Sequence, residues 1–536
     1  MMKKVIKKLL AALLAVAMVC AMAIPAFAGT EGDITKWHSF SAFQIFKGKV
    51  DGNDIKDFKI SNVEWGSNID PDNFLPQLKG ADTIGPLFAN ANSARDVLEV
   101  ISQWHNSDAN SIAFARFVCH YLYPDANAKP KPAVEGGGGS DHIHFDEAGY
   151  YLVVDTTPFS HGDFDHAYNS FLLMVTHEDW NIPITPKAEK PSVKKEVFDN
   201  FDNQDGTSTG DFGSSADHAI NEKFQFKLTA TLPASTDHAY DYYDTYAVCF
   251  KDTLSEGITY DGPDSVVIKS NNNTHDTTID PSKYTIDTKN LENQNYFEVN
   301  IHDVKACAKD AGFDLNDGAT ITFTYTAHLN EKATVNTTSG PTDNKNSVQL
   351  QYSNNPRPGD YWGTTPKSEV YVFTYQLNNT KRAETENGTP LPGAGFKLYS
   401  DKAYEHEVKL YKEGNFYYPI KDATDKAQYA VEMFSDEHGQ FNVRGLDAGT
   451  YYLRETNPPK DYSACDDKEI VISATHDVNH VSLSGNLSTT IINKKAGGIT
   501  LPSTGGIGTT IFYVVGGGLM VAAIVLLVTK KRMENK

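Results

Sequence analysis

Along most of the chain apolar and polar residues alternate with a period of two, in short runs separated by Asn, Asp, Gly and Pro. This pattern predicts half-buried strands joined by turns, hence a mainly β protein. Phe40 to Val50 (FSAFQIFKGKV) is the first such run. A helical interval follows: Ser93 and Asp96 make a capping box, Val97, Leu98, Ile101 and Trp104 fall on one helix face, and Ile112 to Leu122 carries a second helical period. After the Gly136–Gly139 loop, strands are expected at Tyr150–Asp155 and Phe171–Thr176.

The Pro-containing stretch from Ile182 to Lys187 reads as a linker. Beyond it, from Val193 to about Tyr361, an all-β segment is expected, with strands at Phe224–Leu228, Tyr246–Phe250, Ser265–Ile268 and Thr320–Tyr325. A third, from Glu369 to Asn493, has strands at Val370–Leu377, Gly395–Tyr399, Gln440–Val443, Thr450–Arg454 and Thr489–Asn493. The acidic stretch Asp199 to Asp211 lacks the spacing of a calcium loop and reads as a solvated turn. The expectation is of tandem Ig-like β-sandwich domains, with some helix in the first. Residues 1–28 and 499–536 flank domains at 29–186, 187–365 and 366–498.

Both ends of the chain carry long apolar runs. Lys3, Lys4, Lys7 and Lys8 precede Leu9 to Ile24, and Ala26-Phe27-Ala28 offers a small-x-small cleavage site, so a signal peptide ending before Gly29 is expected. Ile511 to Val528 is long enough to cross a bilayer as one transmembrane helix, and Lys530, Lys531 and Arg532 would hold the last residues inside. Just ahead of it stands Leu501-Pro502-Ser503-Thr504-Gly505, where Pro502 fixes its own φ and pushes Leu501 toward an extended conformation, as suits a peptide in an enzyme groove. Pentapeptide, apolar run and basic tail together resemble the LPxTG cell-wall sorting signal of Gram-positive surface proteins. The resemblance implies a sortase whose cysteine attacks the Thr504 carbonyl and releases everything from Gly505 onward, an amine then resolving the acyl-enzyme. It also implies covalent anchoring to peptidoglycan at the cell surface.

The formal net charge of −21 argues against nucleic acid or an anionic membrane as partner. Cys20 falls in the signal peptide, and Cys119, Cys249, Cys307 and Cys465 are scattered without metal-ligand spacing. Cys249 and Cys307 could pair, but nothing in the spacing requires it. His142, His144, His161, Asp163 and His166 could be drawn as a metal site, but histidines in a polar loop region are usually just solvated. No metal or cofactor is expected.

Two constellations of Lys, acid and Asn recur. Lys381, Glu455 and Asn493 lie within Leu391-Pro392-Gly393-Ala394-Gly395-Phe396-Lys397-Leu398, Gly449-Thr450-Tyr451-Tyr452-Leu453-Arg454-Glu455-Thr456 and Ile492-Asn493-Lys494-Lys495, or beside them. These stretches resemble the CnaB-type domain of Gram-positive pilins and adhesins, with Pro458 where the family has Ala and Asp461 where it has Gly. The resemblance implies an intramolecular isopeptide bond from Lys381 to Asn493, promoted by Glu455. Burial disfavours both charged forms, so a neutral amine can attack the carboxamide carbon while the acid polarises the carbonyl and ammonia leaves. In the middle segment, Val193, Lys195 and Val197 share a strand face by period two, which selects Lys195 over Lys194. The stretches Val248 to Gly257 and Asn346 to Pro356 resemble the CnaA-like pilin domain, implying Asp252 as the acid and Asn346 as acceptor, with Asn344 as the fallback.

FSAFQIFKG and Gly149-Tyr150-Tyr151-Leu152 resemble the N-terminal domain of backbone pilins, in which no Lys–acid–Asn trio is assigned here. Backbone pilins carry a lysine near the end of that domain which the sortase joins to the next subunit. Lys187, after Thr185-Pro186, stands where that motif belongs, and Lys190 is second choice. The whole is identified as a major pilin subunit, a structural protein and not an enzyme beyond single-turnover bond formation. Its implied partners are pilus-type and housekeeping sortases, copies of itself, minor tip and base pilins, peptidoglycan, and an unspecified host or substrate ligand. The alternative is a monomeric wall-anchored adhesin.

Overall fold

The computed structural model describes residues 39–496, except 52–58, 105–107, 126, 136–141, 158–169, 176–179, 184–189, 203–207, 237, 358–361 and 486. The first unit is an antiparallel sheet ordered Lys59–Trp65, Phe40–Asp51, Gly149–Asp155, Phe171–Val175. Its opening strand buries residues on both faces by alternation, and a bulge, with Gln44 facing Tyr151 and Phe46 facing Tyr150, leaves Ile45 as an extra residue and turns Phe46 to the same side as Ile45. Phe40 and Ala42 therefore join a small cluster with Phe145 and Val153, while Phe43, Ile45 and Phe46 enter a larger core on the other side.

That larger core is closed by helices Pro71–Gly80, Ala94–Ile101 and Ala109–Leu122, which contribute Phe74, Val97, Phe114 and Val118. Ser93 caps the middle helix by accepting from the Asp96 amide, and that helix ends before Trp104. The sequence pattern did not reveal Pro71–Gly80, whose Asp70 cap and Pro71 at the first turn start it despite the internal Pro76.

The second unit is a sandwich. One sheet runs Ile258–Ser270, Ala319–Leu329, Lys223–Leu232, Ser192–Asp202, Ser208–Gly213. The other runs Ser215–Asp217, Ser368–Phe373, Lys345–Ser353, Val248–Leu254, Tyr296–Ile301. Strict alternation along Ala319–Leu329 turns Ile321, Phe323, Tyr325 and Ala327 inward against Phe250, Val348 and Leu350. The strands around Asp199 are longer than the solvated turn expected there: Asp199 pairs with Asp211 and is buried.

The third unit is another sandwich, with Phe416–Pro419, Asn442–Leu446, Tyr375–Ala383 and Ser488–Asn493 in one sheet and Gly395–Tyr399, Gly449–Asn457, Lys468–Asp477 and His480–Gly485 in the other. Its first and last strands lie side by side and parallel, with Lys381 opposite Ile491 and Ala383 opposite Asn493. The expected single strand Val370–Leu377 is two strands. Ser368–Phe373 completes the second sandwich and Tyr375–Ala383 begins the third, so the crossing falls at Thr374 and not at residue 366.

The second and third units meet over a broad front. The Ile220 amide donates to the Gly445 carbonyl (2.9 Å), the Asn221 side chain to the Pro419 carbonyl (2.9 Å) and the Lys223 amide to the Asp422 carboxylate (2.9 Å). Gly445, at φ +88°, leaves room for Ile220: a Cβ there would sit 2.5 Å from its side chain. All four cysteines among the described residues are free, Cys249 and Cys307 included. No described helix is long and apolar enough to cross a membrane; the run from Ile511 to Val528 lies outside the described residues.

Candidate crosslinking sites

In the third unit, the Lys381 strand and the Asn493 strand are neighbours, and inward alternation points both side chains at Glu455 from the facing sheet. The Lys381 ammonium bonds the Asn493 carboxamide oxygen and lies 3.3 Å from a Glu455 carboxylate oxygen. The Asn493 amide nitrogen donates to both Glu455 oxygens, at 2.8 and 3.0 Å. Lys381 and Glu455 side chains are wholly withdrawn from solvent, and the amine sits over the Phe396 ring. Burial depresses the Lys381 pKa, partly offset by nearby Cys465 and Glu455. The arrangement sets an amine against a carboxamide with an acid on its nitrogen side.

Glu455 has a further anchor that sequence inspection did not single out: the Cys465 backbone amide donates to it at 2.8 Å. The two departures from the CnaB-type pattern sit in the connecting turn. Pro458 is exposed just past the end of the Glu455 strand. Asp461 adopts φ +71°, the left-handed conformation a glycine takes without cost and Asp tolerates better than most residues. Its carbonyl accepts from the Ala496 amide, tying the turn to the end of the last strand.

In the second unit, Lys195 is buried while Lys194 points outward. Its amine bonds Asp252, which lies on the opposing sheet, and the Tyr325 hydroxyl at 3.1 Å. The same hydroxyl donates to Asp252 at 3.0 Å and accepts from the Asn346 amide nitrogen at 2.5 Å. Tyr325 is thus the hub of the site, although the sequence pattern marks it only as the end of an expected strand. The Asn346 carboxamide oxygen is buried without a hydrogen-bond partner.

Asn344, the fallback acceptor, is committed elsewhere, bonding the Thr334 amide and the Thr334 and Val372 carbonyls. Desolvation brings Lys195 down to about 8 against the pull of Asp252, and raises Asp252. Both shifts favour the neutral forms.

In the first unit, Lys47, Lys49, Lys79, Lys129 and Lys131 are all at least partly exposed. His144 lies 3.2 Å from Asp146 at the surface, while His161, Asp163 and His166 fall outside the described residues. So do Lys187 and Leu501, Pro502, Ser503, Thr504 and Gly505; Lys190 is described and exposed.

Comparison with known proteins places a prealbumin-like fold domain, SpaA, at residues 377–486 and the LPXTG cell wall anchor motif at residues 493–535. The chain is therefore a cell-wall-anchored surface protein of the Gram-positive type. No curated protein matches it. Among solved structures, the three-domain T6 backbone pilin of Streptococcus pyogenes serotype M6 is 16% identical, with 86% of this chain and 97% of that one covered and a TM-score of 0.48. The full-length major pilin SpaD from Corynebacterium diphtheriae is 21% identical, with coverage of 70% and 88% and a TM-score of 0.43. The 35 kDa C-terminal fragment of the Streptococcus agalactiae major pilin GBS80 is 22% identical, with coverage of 57% and 100% and a TM-score of 0.39.

Proposed function

We propose that this wall-anchored chain is the backbone subunit of a covalently polymerised pilus, its sandwiches closed by autocatalytic isopeptide bonds. The observation that carries the reading is the wholly buried contact of Lys381 with Asn493 and Glu455. A buried Lys–carboxylate pair is a poor stabiliser by itself, because the desolvation cost offsets the attraction. Such a trio has a clear use in bond formation. The neutral Lys381 Nζ attacks the Asn493 Cγ, Glu455 passes the amine proton to the carboxamide nitrogen, and ammonia departs as the new amide forms.

The two bonds would differ in mechanical effect. Lys381 to Asn493 would lock neighbouring first and last strands, the pair that bears a pull applied at the two ends of a domain. Lys195 to Asn346 would tie one sheet of the second sandwich to the other, with Asp252 in the role of Glu455 and Tyr325 relaying a proton. With such bonds in place, load passes through covalent structure and not through strand hydrogen bonds.

Polymerisation would join the Thr504 carbonyl of one subunit to the Lys187 amine of the next. Such head-to-tail contacts are heterologous and do not close, so they generate a fibre. The wall-anchoring motif supports the sortase half of this step. The test is a denaturing gel of wall extracts: a ladder of very large species that collapses to monomer in Lys187→Ala supports the fibre. A single wall-linked monomer in the native strain would favour an unpolymerised adhesin instead.

A further inference from the structure

Where the second and third sandwiches meet, four carboxylates lie close together: Asp199, Asp217, Glu222 and Asp447. Two histidines approach them, and the two are bonded differently. His476 has both ring nitrogens engaged, Nδ1 with the Ser215 hydroxyl at 2.8 Å and Nε2 with Asp199 and Asp217 at 3.4 and 3.7 Å. It already serves as the counter-cation of its pair of acids. His218 does not. Its Nε2 meets the Phe198 carbonyl at 2.7 Å, and since a carbonyl only accepts, that nitrogen carries the hydrogen. Its Nδ1 has no hydrogen-bond partner, on a residue only 1% exposed.

His218, Glu222 and Asp447 each offer one donor atom within 4.8 Å of the other two, and with Nε2 committed to the Phe198 carbonyl, Nδ1 is the ring nitrogen left to ligate. The ring cannot easily turn away, because it stacks on Phe224 with 4.2 Å between centroids and planes 2° apart. Glu222 accepts from the Ala219 amide on Oε2 (2.9 Å) and from the Asn200 side chain on Oε1 (3.3 Å), with the Lys421 amine 3.6 Å from Oε1. Asp447 takes the Ala448 amide at 2.8 Å.

We propose that His218 Nδ1, Glu222 and Asp447 form a binding site for a divalent transition cation of the Zn²⁺ class, clamping the second sandwich to the third. One nitrogen and two carboxylate oxygens suit such an ion, and a ligating histidine that donates its other N–H to a backbone carbonyl is the usual support for one. Tetrahedral ligands on bonds of about 2.0–2.1 Å stand about 3.3 Å apart, so the three side chains need close by only an ångström or so. Burial and the neighbouring acids Asp217 and Glu222 hold the Asp447 carboxyl well above its ordinary range, a repulsion that a cation would relieve. The site spans two units: His218 and Glu222 come from the second sandwich, and Asp447 from the turn between two strands of the third. Binding would therefore resist bending between them, independently of any isopeptide bond.

The test is titration of the chelator-stripped full chain with Zn²⁺, read by calorimetry and by bound-metal analysis, beside His218→Ala and Asp447→Asn. The expected result is one more tightly bound equivalent in the native chain than in either variant, and a rise in its unfolding temperature with Zn²⁺ that both variants lack. Should His218→Ala fail to fold, Asp447→Asn, which keeps the side-chain shape, decides alone. Equal uptake by native chain and Asp447→Asn, or no uptake by the native chain, overturns the site; preference for Ca²⁺ over Zn²⁺ overturns the class of ion.

Discussion

Replacing Glu455 by Gln keeps the shape of the acid and removes its ability to carry the proton, so the third sandwich should form without its crosslink. The loop that the bond would close spans 112 residues from Lys381 to Asn493. Treated as a crosslink on the unfolded chain, closure of a loop of about 100 residues is worth about 4.7 kcal/mol. For a domain of this size each kcal/mol moves the unfolding midpoint by about 4 °C or more, so the predicted loss is roughly 20 °C. The variant also leaves the wholly buried Lys381 without its carboxylate, which adds about 3–5 kcal/mol to the destabilisation and makes the figure a lower bound. Differential scanning calorimetry of the full chain measures the transition, and intact mass identifies its cause. The variant should be about 17 Da heavier than a natively crosslinked chain carrying the same substitution, the mass of one retained ammonia. A variant that shows the crosslink by mass, or that lacks it yet melts where the native chain does, would refute the reasoning.

Tyr325→Phe should slow or abolish the bond in the second sandwich while leaving the third intact, since the hydroxyl touches Lys195, Asp252 and Asn346 at once; peptide mapping of Lys195 gives the yield, and full yield at the native rate would dismiss Tyr325 as a relay. Asn346→Ala cannot crosslink and keeps a Lys195 whose folded-state value, about 8, lies below the unfolded 10.5. Its unfolded chain binds more protons across that window, so its urea midpoint, measured relative to the native chain, should rise from pH 8 to 10.5. His476 is raised to about 9 by Asp199 and Asp217 against the cost of its burial. The stability it contributes should be complete below about pH 6.5 and lost as pH rises through 9, and His476→Gln should flatten that dependence.

Period-two alternation was enough to place Lys195 inside and Lys194 outside, and the motif around Glu455 led to Lys381 and Asn493, which the structure brings into contact. Local pattern could not reveal contacts made between sheets. Tyr325 is one of 27 tyrosines, and alternation marks it as core without saying that its hydroxyl would find a lysine, an acid and an amide. Asp199 looked solvated because its half-buried partner His476 is distant in sequence and comes from another sandwich. The crossing at Thr374 did leave a signal: the run of Val372, Phe373, Thr374 and Tyr375, all buried, breaks the alternation on either side. A phase change of this kind marks a strand that leaves one core and enters the next. The helix Pro71–Gly80 was hidden by Pro76 and by a polar exposed face.

The covalent fibre is tested most directly by mass spectrometry of protease digests from wall-extracted material. A branched peptide in which the Thr504 carbonyl is joined to the Lys187 side-chain amine is the predicted product. Finding Thr504 joined only to wall peptide, or still bonded to Gly505, with Lys187 free in every digest, would contradict it.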